Sequence, residues 1–244
     1  MIPKIIHYCW FGGNPLPADA KCCIASWKKF LPDYEIKEWN ESNFDVNIIP
    51  FTKEAYSATK FAYVSDYARL WILYKYGGLY FDTDVEVIRP LDDLISEGSF
   101  MGIEKRTAVA DPIFNVAVGL GVGCEPEDNI IKEVMEFYET HHYIYPDGHM
   151  EQIPIVAITT DVLRNHGFDC CNRKQKVASF TIYPYDYFCP IEFLSTKLEI
   201  TENTRTIHHY TATWMSWKDK LKMKRGAFFD KNPLGKFIKK IIRR

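Results

Sequence analysis

The feature that most constrains the fold is a helix pattern followed by two glycines, a short apolar strand and two aspartates. Apolar residues recur at steps of three and four over 61–74, which is typical of a helix with one buried face. Gly77 and Gly78 follow, and glycine readily adopts the left-handed backbone that ends a helix. Residues 79–81 have the aromatic and aliphatic character of a buried strand. The sequence therefore predicts a helix, a sharp turn and a strand, with two carboxylates directly after the strand.

The two carboxylates are Asp82 and Asp84, separated by one residue. Like charges beside a buried strand end are unfavourable unless an opposite charge or hydrogen bonds offset them. A divalent cation such as Mn²⁺ or Mg²⁺ is the simplest partner, because hard cations prefer oxygen ligands and leave positions open for substrate phosphates. Asp-x-Asp is also common in solvated turns, so the spacing alone leaves both interpretations open.

Residues upstream of this pair extend the pattern. Ser65, Asp66 and Arg69 lie in the predicted helix, ahead of the glycines and the Asp-x-Asp. This combination resembles the sugar-nucleotide site of glycosyltransferase family 32, the DXD-containing relatives of yeast initiating mannosyltransferases and of capsular polysaccharide glycosyltransferases. It is similar, more distantly, to the glucosylating domains of clostridial toxins. Residues 2–13 resemble the first strand of the family, and the resemblance covers most of 1–217.

The resemblance implies a GT-A type, Rossmann-like α/β fold with a mixed, mainly parallel sheet flanked by helices. It also implies a metal-dependent enzyme that moves a hexose from a UDP- or GDP-sugar to a hydroxyl acceptor and retains the anomeric configuration. The expected acceptor is a glycan or a lipid-linked saccharide, in capsule, exopolysaccharide or lipopolysaccharide synthesis. Nucleic acid is not among the expected partners.

By the same resemblance, four residues are expected to be catalytic. Asp82 and Asp84 hold the metal ion, Asp66 contacts hydroxyls of the donor sugar, and Arg69 contacts the sugar or the diphosphate. A guanidinium suits phosphate because its fork of donors matches the phosphate oxygens and its charge does not titrate away. A simple ion pair between Asp66 and Arg69, three residues apart on the helix surface, is the alternative.

Further donor-binding residues are implied in the same way. Trp10 follows the first strand, where ligands of nucleotide-binding sheets lie, and it is assigned to the wall around the base; a plain core role is the alternative. Ser65 and Asn115 are assigned to the donor sugar side. Thr213 and Trp214 correspond to a Ser-Trp pair in family members, with threonine in place of serine, and the hydroxyl can reach the metal or the diphosphate.

One of two adjacent histidines, His208 or His209, is expected to be an additional metal ligand. Family members commonly close the site with a C-terminal histidine, and imidazole is an acceptable ligand for Mn²⁺. Neighbouring residues of a strand point to opposite faces, so at most one of the two is expected at the metal. Both assignments stay open at this point.

Length and composition favour one large domain with an appendage. The 244 residues, 47% of them hydrophobic, suffice for a full core. No stretch reaches the roughly 18 apolar residues of a membrane-spanning helix, and the first residues lack the pattern of a signal peptide. Seven cysteines without a C-x-x-C motif favour free thiols. A cytoplasmic protein is therefore expected.

The charge distribution divides the chain into a GT-A domain, 1–217, and a basic tail, 218–244. The tail has eleven Lys and Arg residues against two Asp, whereas the rest has nineteen basic and thirty acidic residues. Apolar residues over 234–242 recur at steps of three and four, which is typical of a basic amphipathic helix on an anionic membrane. The sequence thus predicts a peripheral position at the inner face of the cytoplasmic membrane. Packing of the apolar stripe on the enzyme's own core is the alternative.

Two other functions use similar residues. A cation-dependent carbohydrate-binding protein, or an inactive homologue, would employ the same carboxylates without turnover. A phosphoryl-transfer enzyme would need a phosphate-binding lysine loop, and the glycines over 119–123 are not followed by Gly-Lys-Ser/Thr. The aromatic and histidine-rich segment 141–149 is either an acceptor-side loop or a solvated loop. A glycosyltransferase is the preferred prediction.

Overall fold

The computed structural model describes residues 1–107, 112–191 and 197–211. The helices are α1 (Ala18–Phe30), α2 (Pro50–Ser57), α3 (Phe61–Tyr76), α4 (Asp92–Ser96), α5 (Asn129–Thr140), α6 (Ile155–Asn165) and α7 (Tyr185–Phe188), with a 3₁₀ turn at Val118–Leu120. The strands are β1 (Ile5–Cys9), β2 (Glu35–Trp39), β3 (Gly78–Tyr80), β4 (Val85–Val87), β5 (Phe100–Thr107), β6 (Pro112–Ala117), β7 (Val122–Cys124), β8 (Gln175–Val177), β9 (Phe180–Tyr183) and β10 (Thr206–His208).

The strands form a mixed sheet in the order β2-β1-β3-β7-β5-β9-β8, with β6 beside β5. Strand β1 pairs in parallel with β2 and β3, and β5 pairs in parallel with β9. Strand β7 runs antiparallel to both β3 and β5, and β10 pairs with β4 in a separate antiparallel ribbon. The predicted α/β fold, a mixed sheet flanked by helices, is confirmed.

Both faces of the sheet are covered. On one face, α3, α5 and α6 supply a core that includes Leu70 and Val134. On the other face, α1 and α7 supply a second core that includes Trp27, Phe81 and Phe188. The sheet is therefore buried on both sides, and its strand ends are the natural place for a polar site.

The turn after α3 forms at the predicted glycines. The helix ends at Tyr76, and Gly77 has φ of 61° and donates its N–H to the carbonyl oxygen of Leu73 at 2.8 Å. A Cβ atom on Gly78 would lie 2.7 Å from the carbonyl oxygen of Ile5 in β1, so a side chain there would push the strands apart. The absence of side chains lets β3 enter the sheet directly beside β1. Because these strands are parallel, the residues after both end at the same edge of the sheet.

A buried histidine fixes the start of β3. His7, on β1, accepts a hydrogen bond at Nδ1 from Nε1 of Trp39 at 3.1 Å, so its proton is on Nε2, which donates to the carbonyl oxygen of Gly77 at 3.0 Å. Burial lowers the pKa of His7 to about 4, although the contact with Gly77 opposes the shift. The ring is thus neutral at pH 7 and holds the turn through two hydrogen bonds.

One predicted strand is shorter than expected. The sequence over 182–188 is strand-like and predicts a strand, but β9 ends at Tyr183 and the chain continues into α7. Pro184 explains the difference, because proline has no N–H for the sheet and suits the position that opens a helix. The prediction of a strand beyond Tyr183 is wrong.

Two further expectations concern the whole chain. The seven cysteines, all within the described residues, are thiols outside any disulfide, as predicted. In the described part of the chain, no helix combines the length and the apolar character needed to cross a bilayer. The predicted tail, 218–244, lies outside the described residues, and the boundary between it and the main domain stays a prediction.

Candidate functional site

Two aspartates that follow β3 and a histidine from β10 meet at one edge of the sheet. Asp82, Asp84 and His208 each offer one ligand atom, and these atoms lie within 4.8 Å of one another. Strand β10 pairs antiparallel with β4, and this register places His208 opposite Val85. Residues far apart in the sequence are thereby brought into one group, called the Asp-Asp-His group below.

The structure brings His208, and not His209, to the aspartates. Nε2 of His208 lies 3.1 Å from Oδ1 of Asp84. Nε2 of His209 lies instead 3.0 Å from Oε2 of Glu86, where both side chains are more than a third exposed. The alternation of side chains along β10 accounts for the difference.

The histidine and the aspartate stabilise each other's charged forms. Burial by itself would lower the pKa of His208, but the charge of Asp84 and the hydrogen bond to it outweigh burial and raise that pKa. Burial likewise opposes ionisation of Asp84, whose pKa is nevertheless held well below its usual range by His208 and Thr211. The N–H and the hydroxyl of Thr211 both donate to Oδ2 of Asp84, at 2.9 and 3.1 Å. Asp84 is therefore negatively charged at neutral pH.

Arg69 connects this group to α3. Its Nη2 atom lies 3.1 Å from Oδ1 of Asp66, its Nη1 atom lies 3.1 Å from Oδ1 of Asp82, and Nε donates to the carbonyl oxygen of Ser65 at 3.1 Å. The side chains of Arg69 and Asp66 are 7% and 13% exposed, so the ion pair is buried rather than on the helix surface. Burial would lower the pKa of Arg69, but Asp82, Tyr80 and Asp66 raise it, and the guanidinium stays charged.

Asp66 is more easily protonated than an ordinary aspartate. Burial raises the pKa of Asp66 to about 6, even though Arg69 lowers it, and the charge of Asp82 raises it further. A carboxylate in such surroundings gains from hydrogen-bond donors that favour its charged form. Hydroxyl groups of a bound sugar are donors of this kind.

Three residues of the site are not predicted from the sequence: Tyr80, Thr211 and Gly119. The hydroxyl of Tyr80 donates to Oδ1 of Asp82 at 3.2 Å, and its ring centre lies 5.0 Å from the guanidinium carbon of Arg69. A Cβ atom on Gly119 would lie 2.1 Å from Oδ2 of Asp82, so the glycine leaves room for that carboxylate. Tyr80 precedes Asp82 by two residues and could have been found from strand alternation, whereas the other two depend on tertiary contacts.

The described residues fit a hard divalent cation. Two carboxylates and an imidazole form a donor set that Mn²⁺ accepts. Nε2 of His208 and Oδ1 of Asp84 are 3.1 Å apart, so a proton or a cation lies between them. The other ring nitrogen, Nδ1, is buried and has no hydrogen-bond partner among the residues that the structure describes. Such an incompletely satisfied group favours a ligand site over a purely structural one.

Trp10 and Ser65 lie at the same end of the molecule. Trp10 is half-buried just beyond β1, and its Nε1 donates to the carbonyl oxygen of Asn14 at 2.6 Å, which fixes the loop after the strand. The hydroxyl of Ser65 donates to the carbonyl oxygen of Phe61 at 3.0 Å, so Ser65 supports the site through its own carbonyl group. A role of Trp10 beside a nucleotide base stays a prediction.

Of the remaining predicted residues, Asn115 lies in the described part of the chain. Asn115 is half-buried on β6, directly opposite Glu104 of β5. Its assignment to the donor sugar stays a prediction. Thr213 and Trp214 lie outside the described residues.

Two solved structures resemble this fold. The PaToxG glycosyltransferase is 18% identical, with a TM-score of 0.49 over 67% of this chain and 69% of that chain. The galactosyltransferase LgtC is 15% identical, with a TM-score of 0.42 over 90% of this chain and 95% of that chain.

Two curated relatives come from Schizosaccharomyces pombe. Inositol phosphoceramide mannosyltransferase 3 is 30% identical over 148 residues, which are 59% of this chain and 40% of that protein. Inositol phosphoceramide mannosyltransferase 1 is 32% identical over 111 residues, which are 41% of this chain and 33% of that protein. The chain thus spans less than half the length of these relatives.

A family match covers the part of the chain that carries most of the site. Residues 17–101 match the family described as glycosyltransferase sugar-binding region containing DXD motif. The matched segment includes the Asp66 and Arg69 pair and both aspartates of the Asp-Asp-His group. The resemblance inferred from the sequence is therefore confirmed over residues 17–101, which are similar to the sugar-binding region of DXD glycosyltransferases.

Proposed function

We propose that this protein is a metal-dependent glycosyltransferase that moves a hexose from a nucleoside diphosphate sugar to a hydroxyl acceptor. The observation that carries the proposal is the direct contact between the Asp-Asp-His group and the buried Arg69, which joins Asp82 to Asp66. A cation site beside a fixed guanidinium suits a diphosphate, and a carboxylate on the other side of that guanidinium suits sugar hydroxyls. The DXD family match supports the same reaction class.

The contacts in the site suggest how its residues act. Asp82, Asp84 and His208 would hold the divalent cation, which supplies positive charge against the charge that develops on the departing diphosphate. Arg69 adds a second positive charge, and its contacts with Asp66, Asp82 and the Ser65 carbonyl fix its direction before substrate binds. Fixed charges in a site with little water stabilise a transition state without reorganising during the reaction. Asp66 orients the sugar by accepting hydrogen bonds from its hydroxyl groups.

The names of the relatives and the charge of the tail suggest a donor and an acceptor. The two relatives are named as mannosyltransferases of a phosphoceramide lipid, so mannose is the first donor sugar to test and a lipid-linked hydroxyl the first acceptor. We further propose that the anomeric configuration is retained and that UDP or GDP carries the sugar. A basic tail over 218–244 would suit an enzyme of capsule, exopolysaccharide or lipopolysaccharide synthesis that works at the inner face of the cytoplasmic membrane.

The direct experiment measures release of free nucleotide. The purified protein is incubated with Mn²⁺ and, separately, with GDP-mannose and a panel of other UDP- and GDP-sugars, with EDTA as the control. We expect slow release from one donor that stops with EDTA, and faster release when a suitable acceptor is added. Sugar-nucleotide binding without release from any donor, with or without acceptors, would instead favour a carbohydrate-binding protein that has no turnover.

A further inference from the structure

The loop that joins α5 to α6 lies at the same end of the molecule as the site. Near the end of α3, the carbonyl oxygen of Tyr74 accepts a hydrogen bond from the N–H of Glu127, just before α5, at 2.7 Å. Nearer the start of α3, the hydroxyl of Tyr67 donates to Oε1 of Glu139, in the last turn of α5, at 3.1 Å. The two helices are therefore antiparallel, and the loop begins beside the part of α3 that carries Asp66.

This loop packs directly against the start of α3. The ring centres of Tyr143 and Tyr63 are 5.0 Å apart, and Tyr143 is 1% exposed. Tyr63 precedes Asp66 by three residues, so the two side chains are neighbours on one face of the helix. Tyr63 and Asp66 thus connect the loop to Arg69, which contacts the Asp-Asp-His group.

Hydrogen bonds hold the loop in one conformation. Glu54 of α2 accepts the N–H groups of Tyr143 and Ile144 at its Oε2 atom, at 2.9 and 3.0 Å. In the short hairpin that follows, Ile144 pairs with Met150, and the N–H of Glu151 donates to the carbonyl oxygen of Tyr143 at 2.8 Å. The backbone of the loop is therefore fixed to the domain, which a binding surface requires.

The second half of the hairpin and the chain after it form an open concave surface. Residues 148–154 line this surface, and its volume is about 620 Å³. Met150 and Ile153 are 37% and 43% exposed there, and His149 and Gln152 are exposed beside them. Exposed apolar side chains that lie together and are bordered by polar ones are typical of a surface that binds a ligand. The surface is thus partly apolar and partly able to form hydrogen bonds.

We propose that the surface formed by residues 148–154 binds the acceptor, and that this acceptor is a saccharide that carries an apolar chain. The inference rests on the proposed function and adds to it the place and the chemical class of the acceptor. A donor held by the metal at its diphosphate and by Asp66 at its sugar leaves the Asp66 side of the site to the acceptor, and the loop lies on that side. Met150 and Ile153 contact the apolar chain, whereas Gln152 donates to and accepts from saccharide hydroxyls.

The test compares ligands that differ only in their apolar chain. Octyl and methyl glycosides of mannose, glucose and galactose are titrated calorimetrically into the protein with Mn²⁺ and GDP or UDP, below the concentration at which the octyl glycosides form micelles. At least one octyl glycoside should bind about tenfold or more tightly than its methyl counterpart, since burial of about two methylene groups suffices for that ratio. Equal affinities within every pair, or no binding of any glycoside, would overturn the proposal.

The double variant Met150→Ser, Ile153→Ser removes the apolar part of the surface. Its binding of GDP and UDP with Mn²⁺ involves no acceptor and should stay within about twofold of wild type. The affinities for the octyl and methyl glycosides should then agree within about twofold. A preference for the octyl glycoside that stays at the wild-type value would contradict the proposal, and Ile153→Ser alone gives the same comparison if the double variant does not fold.

A matched control is the double variant Leu198→Ser, Ile200→Ser, in which the two apolar side chains are 46% and 49% exposed in wild type and precede β10. It should keep the preference for the octyl glycoside, and an equal loss there would mean unspecific binding of the chain and overturn the proposal. Loss of binding to phosphatidylglycerol vesicles in Met150→Ser, Ile153→Ser, with the octyl preference intact, would assign the surface to a bilayer instead. If wild type releases nucleotide from no donor, the proposed reaction fails, whereas the glycoside titrations still test the surface because they need no turnover.

Discussion

The two ends of β3 hold buried polar groups of opposite character. At its start, His7 is neutral, and both of its ring nitrogens are satisfied, by Trp39 and by the carbonyl oxygen of Gly77. Beyond its end, Asp84 and His208 favour each other's charged forms, and one ring nitrogen of His208 has no partner within the described ranges. The same strand thus separates a completed hydrogen-bond network from an incomplete group of charges.

The difference distinguishes polar groups that stabilise the fold from polar groups that are available to a ligand. A buried polar group whose hydrogen bonds are all made costs little and holds the backbone in one arrangement. Charges that are gathered without full compensation are retained for a ligand more often than for stability. We therefore expect changes at the start of β3 to affect folding, and changes beyond its end to affect metal binding and activity.

The largest effect is expected for Asp84→Ala. Loss of a carboxylate proposed to bind the metal should lower nucleotide release at least about 100-fold, comparable to the loss of a fixed charge-stabilising group in other enzymes. The melting temperature without metal should fall, because the variant also loses the contacts of Asp84 with His208 and Thr211, but the protein should stay folded. Steady-state assays and thermal unfolding in EDTA measure the two effects. Turnover in Mn²⁺ at the wild-type rate would contradict the assignment of the site.

A large effect on stability is expected from pH at His7. The unfolded chain binds a proton at this histidine near pH 6.5, whereas the folded protein does so only near pH 4, so between these values the unfolded state binds more protons. Stability should therefore fall as pH falls from 6.5 to 4, by up to about 3 kcal/mol from this residue. Urea unfolding of wild type and His7→Gln across this range tests it, because glutamine does not titrate. Parallel curves for the two proteins would show that His7 contributes no such dependence.

An intermediate effect is expected for Arg69→Lys, which keeps the charge but removes the planar fork. Nucleotide release should fall about 30-fold, or roughly 2 kcal/mol, beyond what any loss of stability explains. Arg164→Lys is the matched control, since Arg164 also pairs with an aspartate three residues earlier, Asp161, but both side chains are at least 60% exposed. Equal activity of the two variants would mean that Arg69 contributes to the stability of α3 and not to the reaction.

The smallest effect is expected for His209→Ala. His209 contacts Glu86, and both side chains are more than a third exposed, so an interaction between them contributes little. Activity and melting temperature should stay within about twofold and a few degrees of wild type, respectively. A loss of activity like that of Asp84→Ala would place His209 in the site and would undo the distinction between the two histidines.

Local patterns predict the first part of the site well. The helix spacing over 61–74, the turn at Gly77 and the pair of aspartates depend on residues close in the sequence, and the structure has all three features. The strand predicted beyond Tyr183 fails for a local reason as well, because Pro184 has no N–H for the sheet and opens a helix instead.

Contacts between segments far apart in the sequence determine the site residues that local patterns do not identify. The choice between His208 and His209 depends on the register of β10 against β4, which no local spacing contains. The contact of Thr211 with Asp84 depends in the same way on the chain after β10 lying beside the aspartates. These residues are found only when the strand order is known.

The most direct test of the account is Mn²⁺ binding by wild type, His208→Ala and His209→Ala. Free Mn²⁺ is followed by electron paramagnetic resonance while each protein is titrated in the presence of GDP or UDP. We expect His209→Ala to bind the ion like wild type, and His208→Ala to bind it at least about tenfold more weakly, the smallest loss usual even for groups behind the ligands. Wild-type affinity in His208→Ala, or weakened binding in His209→Ala alone, would contradict a cation site formed by Asp82, Asp84 and His208.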